Sequence, residues 1–306
     1  MKPVHDYDCI ILGGGPAGMT AGIYAARAKL KAVVLESNIT GGLVNSTYTV
    51  ENYPTYPSIH GMELMQRMRD HLDAFEVPVE EVCEVERLDL TGEVKVAETD
   101  EAVYRAKAII LATGRKPVPL ETPTPCDQVH HCAICDGAPY AGKRVLVCGG
   151  GNSAFDESLY LLSLGVAHIT VIEIMPRFFA AASTQEGLLG SGKAEGHTET
   201  RVLDLEVADD RLVAAILENV ATGKTWREEV DGVFVFLGQR PSNALFKEQV
   251  TLTETGYVPA TPDLSTNLPG VFAAGDIVDK PYRQITTAVA DGTVAALSAE
   301  RFLRGR

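Results

Sequence analysis

Cysteine is scarce in this sequence, and so are long apolar runs and positive charge. Six cysteines among 306 residues are far too few for a disulfide-stapled secreted scaffold. No apolar run approaches the ~18 residues that span a bilayer, so we expect neither a transmembrane helix nor a membrane partner. Only a few residues precede the first apolar segment, which leaves no room for a secretion signal, and we therefore expect a cytoplasmic protein.

The shortage of positive charge bears on the possible partners. The chain has 27 Lys and Arg against 41 Asp and Glu, which gives a formal net charge of −14. A negative protein repels phosphate backbones and anionic lipid, so we expect no nucleic-acid partner and no membrane-surface role. The remaining composition, with 45% hydrophobic residues and 28 glycines, is that of a globular protein, and the length predicts two domains.

Two segments repeat one supersecondary pattern: an apolar strand, a glycine-rich turn, a helix and a second strand that ends in an acid. The turns are residues 13–18 and 149–154, and the acids are Glu36 and Glu173. The first glycine and the acid are 23 and 24 residues apart, close to the ~20 of a dinucleotide-binding unit. Such a turn offers backbone N–H groups and a helix dipole to a pyrophosphate. The repeat therefore predicts two dinucleotide sites, against the alternative of purely structural turns.

The acid of the second unit also indicates which nucleotide enters. Glu36 and Glu173 both stand where a carboxylate accepts hydrogen bonds from ribose hydroxyls. A 2′-phosphate would lie beside Glu173, and two unit charges ~4 Å apart at an effective dielectric of ~20 repel by about 4 kcal/mol. Screening reduces this energy but still leaves a penalty of about tenfold or more. Glu173 therefore favours NAD over NADP.

Prolines and glycines indicate where the domains meet. Residues 116–125 contain four prolines, which predicts an extended linker, and residues 238–243 form a second hinge after an apolar strand. The tail that follows is too short for a third domain, so we expect it to complete the first. The prediction is an α/β protein with two Rossmann-like three-layer dinucleotide-binding domains, the second inserted in the first. Their expected bounds are 1–115 plus 243–306, and 116–242.

Two further patterns concern the parts around these units. Alternating polar and apolar residues near 79–96 and 201–230 predict a small antiparallel meander in each half. Glycines at 187, 190, 192 and 196 fall where the second unit needs its next helix and strand. We therefore expect that segment to be shortened or irregular.

Cys132 and Cys135 form the only C-x-x-C pair, and in a reducing compartment such a pair is metal-binding or redox-active. Zinc would need two more ligands, and the adjacent His130 and His131 make a poor tetrahedral set, so we expect no metal. On one helical turn both sulfurs lie on the same face, close enough for a reducible disulfide. Asp136 follows directly and can exchange a proton with a thiol. The histidines are either loop residues or cations that lower the pKa of the Cys132 thiol.

Six motifs occur in the order seen in low-molecular-weight, bacterial-type thioredoxin reductases, and the resemblance covers essentially the whole chain. They are GGGPAG at 13–18, ATG at 112–114, CAICDG at 132–137, GGGNSA at 149–154, GVFAAGD at 270–276 and RQI at 283–285. By this resemblance the discontinuous domain binds FAD, and the inserted domain binds a pyridine nucleotide and carries the redox disulfide. The resemblance also implies a homodimer and a thioredoxin or thioredoxin-like partner.

The resemblance assigns a role to each matching position. Cys135 would face the flavin, Cys132 would attack the partner's disulfide, and Asp136 would act as acid and base. The FAD contacts would be Gly13, Gly15, Pro16, Ala17, Gly18, Glu36, Gly42, Asn52, Thr113, Gly114, Gly275, Asp276, Arg283, Gln284 and Ile285. The pyridine-nucleotide contacts would be Gly149, Gly151, Asn152, Ser153, Ala154, Glu173 and Gly238.

The sequence departs from the family pattern at two places. Leu43 stands where the family usually has Gln, so one polar flavin contact lacks its usual residue. The NADPH-dependent members follow the second strand with a His-Arg-Arg cluster and a further Arg, where this chain has Glu173, Ile174, Met175 and Phe179. The pattern resembles the NADH-using flavoprotein reductases that serve peroxiredoxins. It predicts NADH as the electron donor.

We therefore expect an FAD-dependent thioredoxin-disulfide reductase that passes electrons from NADH through FAD to the Cys132–Cys135 disulfide. Two alternatives stay open. A ferredoxin-dependent flavin thioredoxin reductase would explain the missing basic groups without a pyridine nucleotide. A flavin dithiol oxidase would pass the electrons to oxygen. The intact second glycine turn and its acid favour the nucleotide-dependent reductase over both.

Overall fold

The protein is described by a computed structural model that covers residues 2–47 and 49–305. The chain forms two compact units, Met1–Lys116 with Arg240–Arg306, and Pro117–Gln239. Lys116 and residues 240–242, which we expected in the second unit, fall in the first. For residues 240–242 a local contact is evident, because Ser242 N–H donates to the Gly114 carbonyl at 3.0 Å and Thr113 Oγ1 donates to the Ser242 carbonyl at 2.7 Å.

Strands outnumber helices along the chain. The strands are β1 (Val4–Asp6), β2 (Cys9–Leu12), β3 (Ala32–Leu35), β4 (Val79–Glu80), β5 (Val85–Asp89), β6 (Lys95–Thr99), β7 (Val103–Ala106), β8 (Ala108–Leu111), β9 (Arg115–Pro117), β10 (Val129–His130), β11 (Arg144–Cys148), β12 (His168–Ile172), β13 (Ala194–His197), β14 (Thr200–Ala208), β15 (Arg211–Asn219), β16 (Thr225–Glu228), β17 (Gly232–Val235), β18 (Gln239–Pro241) and β19 (Val271–Ala273). The α-helices are α1 (Pro16–Arg27), α2 (Gly61–Asp73), α3 (Ala133–Asp136), α4 (Asn152–Ser163), α5 (Ala182–Leu189) and α6 (Ile285–Leu303). Short 3₁₀ helices cover Gly42–Ser46, Ala138–Tyr140 and Gly275–Ile277.

The first unit is built around a parallel sheet of order β19-β8-β2-β3-β4. Helix α1 packs against α2 and α6, and α1 and α6 contact the strands of the sheet and cover one face. On the other side, β7 of the sheet β1-β7-β6-β5 contacts β2. Because β2, β3 and β8 are covered on both faces, their residues are all buried. This arrangement of three layers confirms the α/β prediction for this unit.

The second unit repeats the plan with the parallel sheet β10-β17-β11-β12-β13 and the antiparallel sheet β14-β15-β16. Successive side chains of a strand point to opposite faces, and β11 shows this directly. Val145 and Val147 belong to a core with Phe155 of α4, whereas Leu146 and its neighbours on that face pack with Leu205 of β14. The predicted meander at 201–230 thus forms the third layer of this unit.

The segment with the four glycines is shortened, one of the two outcomes that we expected, and it is regular. It includes the end of the short helix α5 and the edge strand β13, which pairs with β12 in parallel. Gly190 ends the helix as its C-cap, and Gly196 leaves room for the ring of Phe178. The glycines therefore shorten these elements without removing them.

Among the described residues, no helix is both long and apolar enough to cross a membrane.

The contact between α1 and α6 generates a stability prediction at Gly292. A Cβ added to Gly292 would overlap the carbonyl of Ala17, so the two helices approach each other at backbone distance. Gly→Ala normally stabilises a helix interior by about 1 kcal/mol, but overpacking costs about 1–3 kcal/mol. We expect Gly292→Ala to destabilise the full chain by about 1–2 kcal/mol in thermal or urea unfolding.

Gly187→Ala provides the matched control for this prediction. Gly187 lies inside α5, and no atom comes within 4 Å of an added Cβ. This substitution should stabilise the chain by about 0.5–1 kcal/mol. If both variants raised the free energy of unfolding, the close approach of α1 and α6 would be wrong.

Candidate functional site

Gly13 and Gly18 of the first glycine turn each have a steric reason, whereas Gly15 lies beside open space. Gly13 has φ +104° and an added Cβ would meet the Ala112 carbonyl of the neighbouring strand. A Cβ on Gly18 would meet the carbonyl of Gly13, so the helix can begin immediately after β2 only if that side chain is absent. No atom lies within 4 Å of a Cβ built on Gly15, the N-cap of α1. The space in front of the helix is therefore open, and Pro16 is well suited to the first helical position.

The second turn repeats these features residue by residue. Gly149 has φ +123° and faces the carbonyl of Phe236, while the space beside Gly151, the N-cap of α4, is open. Ala154 replaces the third glycine and is fully buried. Both turns thus present free N–H groups and an open approach at a helix N-terminus, which fits a pyrophosphate.

The two strand-end acids are held in the same way. Glu36 Oε2 accepts the Gly14 N–H at 2.6 Å, and its Oε1 accepts the N–H of Asn38 at 2.9 Å. Glu173 Oε2 accepts the Gly150 N–H at 2.7 Å, and its Oε1 accepts the N–H of Met175 at 2.9 Å. Each carboxylate is therefore fixed beside its glycine turn, where ribose hydroxyls of a bound nucleotide would lie.

The loop after Glu173 is apolar and exposed. The side chains of Ile174, Met175 and Phe179 are 52%, 49% and 50% exposed. Arg177 does not replace the missing basic cluster, because its guanidinium stacks over the Phe179 ring at 5.1 Å. Asn152 Oδ1 accepts the Ala181 N–H at 2.9 Å, so this predicted nucleotide contact also holds the loop in place.

The other predicted FAD contacts gather at the carboxyl edge of the first unit's parallel sheet. Asn52 Nδ2 donates to Gln284 Oε1 at 3.1 Å, although the two residues are 232 positions apart. Gln284 is the N-cap of α6 in a capping box, and Ile285 is the first residue of the helix. A Cβ on Gly42 would lie 3.6 Å from Gly15, and one on Gly275 would meet Ala17. These contacts bring the residues from both ends of the chain to one site.

Asp276 has a partner that the sequence did not reveal. Its Oδ2 accepts hydrogen bonds from Arg115 Nε at 3.2 Å and Nη2 at 3.1 Å. Arg283 lies near the same loop, with its guanidinium 4.0 Å from the centre of the Tyr257 ring. The only signal for Arg115 was its place directly after Thr113 and Gly114. It adds a positive charge to a site that would receive a phosphate-bearing cofactor.

The predicted pyridine-nucleotide contacts all lie in the second unit. Gly149, Gly151, Asn152, Ser153 and Ala154 form the turn and the start of α4, and Glu173 follows β12. Gly238 follows β17 with φ +93° and open space beside it.

Cys132 and Cys135 are joined by a disulfide at α3, a single helical turn after β10. Cys132 is the N-cap, and its sulfur accepts the Cys135 N–H at 3.1 Å. Cys132 is 9% exposed, whereas Cys135 is on the surface. Asp136 ends the helical turn, with its side chain 41% exposed.

A carboxylate that sequence reasoning missed holds this turn from the other side. Glu157 of α4 accepts the Ala133 N–H at 2.9 Å. Desolvation by burial raises the pKa of Glu157 to about 7, and the charge of Asp156 adds to the rise. The proton of Glu157 is therefore exchanged near neutral pH, directly beside the disulfide-bearing turn.

Each of the two histidines has a polar partner in the structure. His130 Nε2 is 2.7 Å from the hydroxyl of Tyr140, and its Nδ1 is 3.5 Å from Asp136 Oδ2. His131 Nδ1 is 3.4 Å from the carbonyl of Val235. Burial lowers the pKa of His130, so its ring is neutral at pH 7, which argues against the cation alternative for this residue.

Among residues 2–47 and 49–305, no three His, Cys, Asp or Glu side chains are grouped to hold a metal ion.

Comparisons with known proteins agree with this geometry. Residues 7–292 match the family model described as pyridine nucleotide-disulphide oxidoreductase. A protein of Clostridium pasteurianum, described as a 34.2 kDa protein in the rubredoxin operon, is 38% identical with both chains covered completely. The thioredoxin reductase of Coxiella burnetii is 38% identical, covering 99% of this chain and 98% of its own. The crystal structure of the thioredoxin reductase of Lactococcus lactis, in its FR conformation, has a TM-score of 0.89 at 33% identity, covering 98% of this chain and 100% of its own.

The raised pKa of Glu157 predicts a pH-dependent stability difference. A carboxyl whose folded pKa lies above its unfolded value stabilises the fold least when ionised, so stability falls as the pH rises from 4.5 to about 7. Glu157→Gln keeps an oxygen acceptor for the Ala133 N–H and removes this cost. We expect the variant to match the wild type near pH 4 and to be about 1–2 kcal/mol more stable above pH 7.

The measurement is urea unfolding of the full chain across this pH range. Glu186→Gln, on the exposed face of α5, serves as the control and should show no such pH-dependent difference. A Glu157→Gln variant that is equally stable, relative to wild type, at pH 4 and pH 8 would contradict the burial argument.

Proposed function

The chain belongs to the pyridine nucleotide-disulphide oxidoreductase family, as a member of the bacterial-type thioredoxin reductase group, and from this we propose its reaction. It is an FAD-dependent disulfide reductase that takes electrons from NADH and delivers them to the disulfide of thioredoxin or a thioredoxin-like protein. The observation that carries the proposal is the Cys132–Cys135 disulfide, followed by Asp136, in the same unit as a complete second glycine turn. The expected homodimer and cytoplasmic location stay predictions.

The residues of the first unit fit FAD. The open turn at Gly15 would receive the pyrophosphate, Glu36 the adenosine ribose, and Asp276 with Arg115 the middle of the cofactor. Asn52 and Gln284 would approach the flavin ring beside the N-terminus of α6, whose positive dipole end favours negative charge on the ring. When bound, FAD supplies the two-electron step between a pyridine nucleotide and the disulfide.

The disulfide and Asp136 would carry out the exchange with the partner. Two electrons and one proton open the Cys132–Cys135 bond to one thiolate and one thiol. The Cys132 thiolate attacks one sulfur of the partner's disulfide, a new S–S bond forms, and the leaving thiolate takes a proton from Asp136. The Cys135 thiol then loses its proton to the Asp136 carboxylate and attacks Cys132, which restores the original disulfide and releases the second partner sulfur.

A trapping experiment tests the assigned order of the two cysteines. Cys135→Ser leaves Cys132 as the only sulfur of the pair and should form a mixed disulfide with a single-cysteine thioredoxin activated by thionitrobenzoate. Cys132→Ser should react at least about tenfold more slowly. The release of thionitrobenzoate gives the rate, and a non-reducing gel identifies the adduct.

The double variant Cys132→Ser/Cys135→Ser measures the background from the free thiols of Cys9, Cys83, Cys126 and Cys148. The structure makes this test demanding, because Cys135 is the more exposed of the pair. Faster trapping by Cys132→Ser would reverse the two roles and leave the reductase proposal in place.

The preference for NADH follows from charge at the second turn. Two backbone N–H groups hold the Glu173 carboxylate in place, and the loop beyond it offers exposed apolar side chains where a 2′-phosphate would need cations. We expect NADH to reduce the flavin at least about tenfold faster than NADPH at limiting concentration. Glu173→Gln removes the charge and should shift the NADH to NADPH ratio toward NADPH by about tenfold.

The measurement is anaerobic rapid mixing of the oxidised holoenzyme with each donor, following the bleaching of flavin absorbance. Glu195→Gln, which removes an acid from the neighbouring strand β13, is the matched control and should leave the ratio unchanged. Faster reduction by NADPH than by NADH would overturn the argument from Glu173. Reduction by reduced ferredoxin alone would favour the ferredoxin-dependent alternative, and oxygen consumption with a small dithiol would favour an oxidase.

A further inference from the structure

A half-buried histidine and a buried tyrosine lie behind the proposed acid–base residue of the redox site. His130 stands on β10, two positions before Cys132, and its ring contacts Asp136 on one side and Tyr140 on the other. We propose that His130, held at Nε2 by the Tyr140 hydroxyl, is a positioning residue that holds the Asp136 carboxylate for proton transfer at the disulfide. The proposal rests on the proposed function.

When Asp136 is ionised, only one placement of the protons on His130 and Tyr140 satisfies both contacts of the histidine ring. A carboxylate only accepts, so His130 Nδ1 must carry the proton that points to Asp136. Nε2 is then an acceptor, and the Tyr140 hydroxyl, 2.7 Å away, donates to it. The Nδ1–Oδ2 distance of 3.5 Å is longer than a formed hydrogen bond, so the positioning role requires the carboxylate to move toward the ring during the reaction.

Packing fixes the ring of His130 while leaving Asp136 free to move. The ring centre of His130 is 5.2 Å from that of Phe234 and 5.4 Å from that of Tyr140. Tyr140 is only 5% exposed and packs edge-on against Phe234 at 5.4 Å. The side chain of His130 is 18% exposed, against 41% for Asp136. The rigid member of the pair is therefore the histidine, which can act as a guide for the carboxylate.

Burial, more than the surrounding charges, keeps the ring of His130 neutral. Burial lowers the pKa of His130, and His131 acts in the same direction, whereas Asp136 opposes both. Burial raises the pKa of Tyr140 to about 12, with smaller contributions from Cys126, Asp136 and Asp231, and Lys143 lies 5.2 Å over its ring. The phenol therefore stays protonated, and His130 can donate at one nitrogen and accept at the other around pH 7.

Three substitutions at His130 and Tyr140 test the positioning role by their relative effects on kcat. His130→Gln removes the donor at the Nδ1 position and should lower kcat for thioredoxin reduction by about tenfold, a fraction of what an acid–base group itself contributes. His130→Asn places an amide N–H close to the Nδ1 position and should recover much of the loss. Tyr140→Phe keeps the packing, removes the hydrogen bond to His130 Nε2 and should have an effect between those of His130→Asn and His130→Gln.

Two readouts separate positioning from a merely structural role. In the Asp136→Asn background, His130→Gln should cause no further loss, because a residue that acts through Asp136 has nothing left to position. The wild type should also lose activity at acid pH, because His130 then becomes protonated and forms an ion pair with Asp136. Its lowered pKa places this loss below the pH range in which a histidine usually titrates. His130→Gln should lack this acid limb of the pH profile.

His168→Gln is the matched control. His168 is in the same unit, 3.6 Å from Glu195, and starts β12 at the end of the strand opposite the glycine turn. It should leave kcat and the pH profile unchanged. Additive losses in the double variant, or equal losses in His130→Gln and His130→Asn, would overturn the proposal.

Reduction of ferricyanide by NADH, which bypasses the disulfide, separates this proposal from the proposed function. It should be unaffected in every His130 and Tyr140 variant. A wild type that reduces neither ferricyanide nor thioredoxin with NADH would contradict the proposed function. A wild type that reduces both, with His130→Gln equal to it, would contradict the positioning role alone.

Discussion

A parallel strand that turns directly into a helix leaves backbone N–H groups unpaired at the turn, and both units of this protein depend on how that turn is closed. The second glycine of each turn donates its N–H to the acid that ends the next strand, from Gly14 to Glu36 and from Gly150 to Glu173. This hydrogen bond thus joins the turn to the acid that ends the next strand. The first N–H groups of the helix stay free for a phosphate.

Local patterns made most of the fold predictable. Strand, glycine turn and helix lie within about 25 residues of each other, so periodicity and turn chemistry were enough to find both units. The contacts that complete the sites join distant parts of the chain. Arg115 meets Asp276 across 161 positions, and Glu157 meets the backbone of Ala133 across 24, on another element. No sequence pattern signals such pairs, because the packing of separate elements creates them.

The charge that bears on the choice of nucleotide is local rather than that of the whole chain. The net charge of −14 excludes phosphate polymers only in general terms. The structure replaces it with one fixed carboxylate, because the two backbone N–H groups on Glu173 stop it from turning away from an incoming phosphate. Arg177, the nearest candidate for a compensating cation, stacks on Phe179 instead. Selection between nucleotides is therefore expected to depend on a few ångströms of local geometry.

The turn that carries the Cys132–Cys135 disulfide also depends on hydrogen bonds from neighbouring elements. A disulfide on a single helical turn has few contacts of its own, so its surroundings must hold it and manage its protons. Glu157 binds the Ala133 N–H from one side, and on the other side His130 and Tyr140 lie behind Asp136. Burial raises the pKa of Glu157 and lowers that of His130, and both shifts favour the neutral form. The neutral ring of His130 brings no positive charge to the turn, and Glu157, with a pKa of about 7, can be either protonated or ionised there near neutral pH. In the proposed exchange, Asp136, whose side chain is 41% exposed, is the group that would pass its proton to the partner.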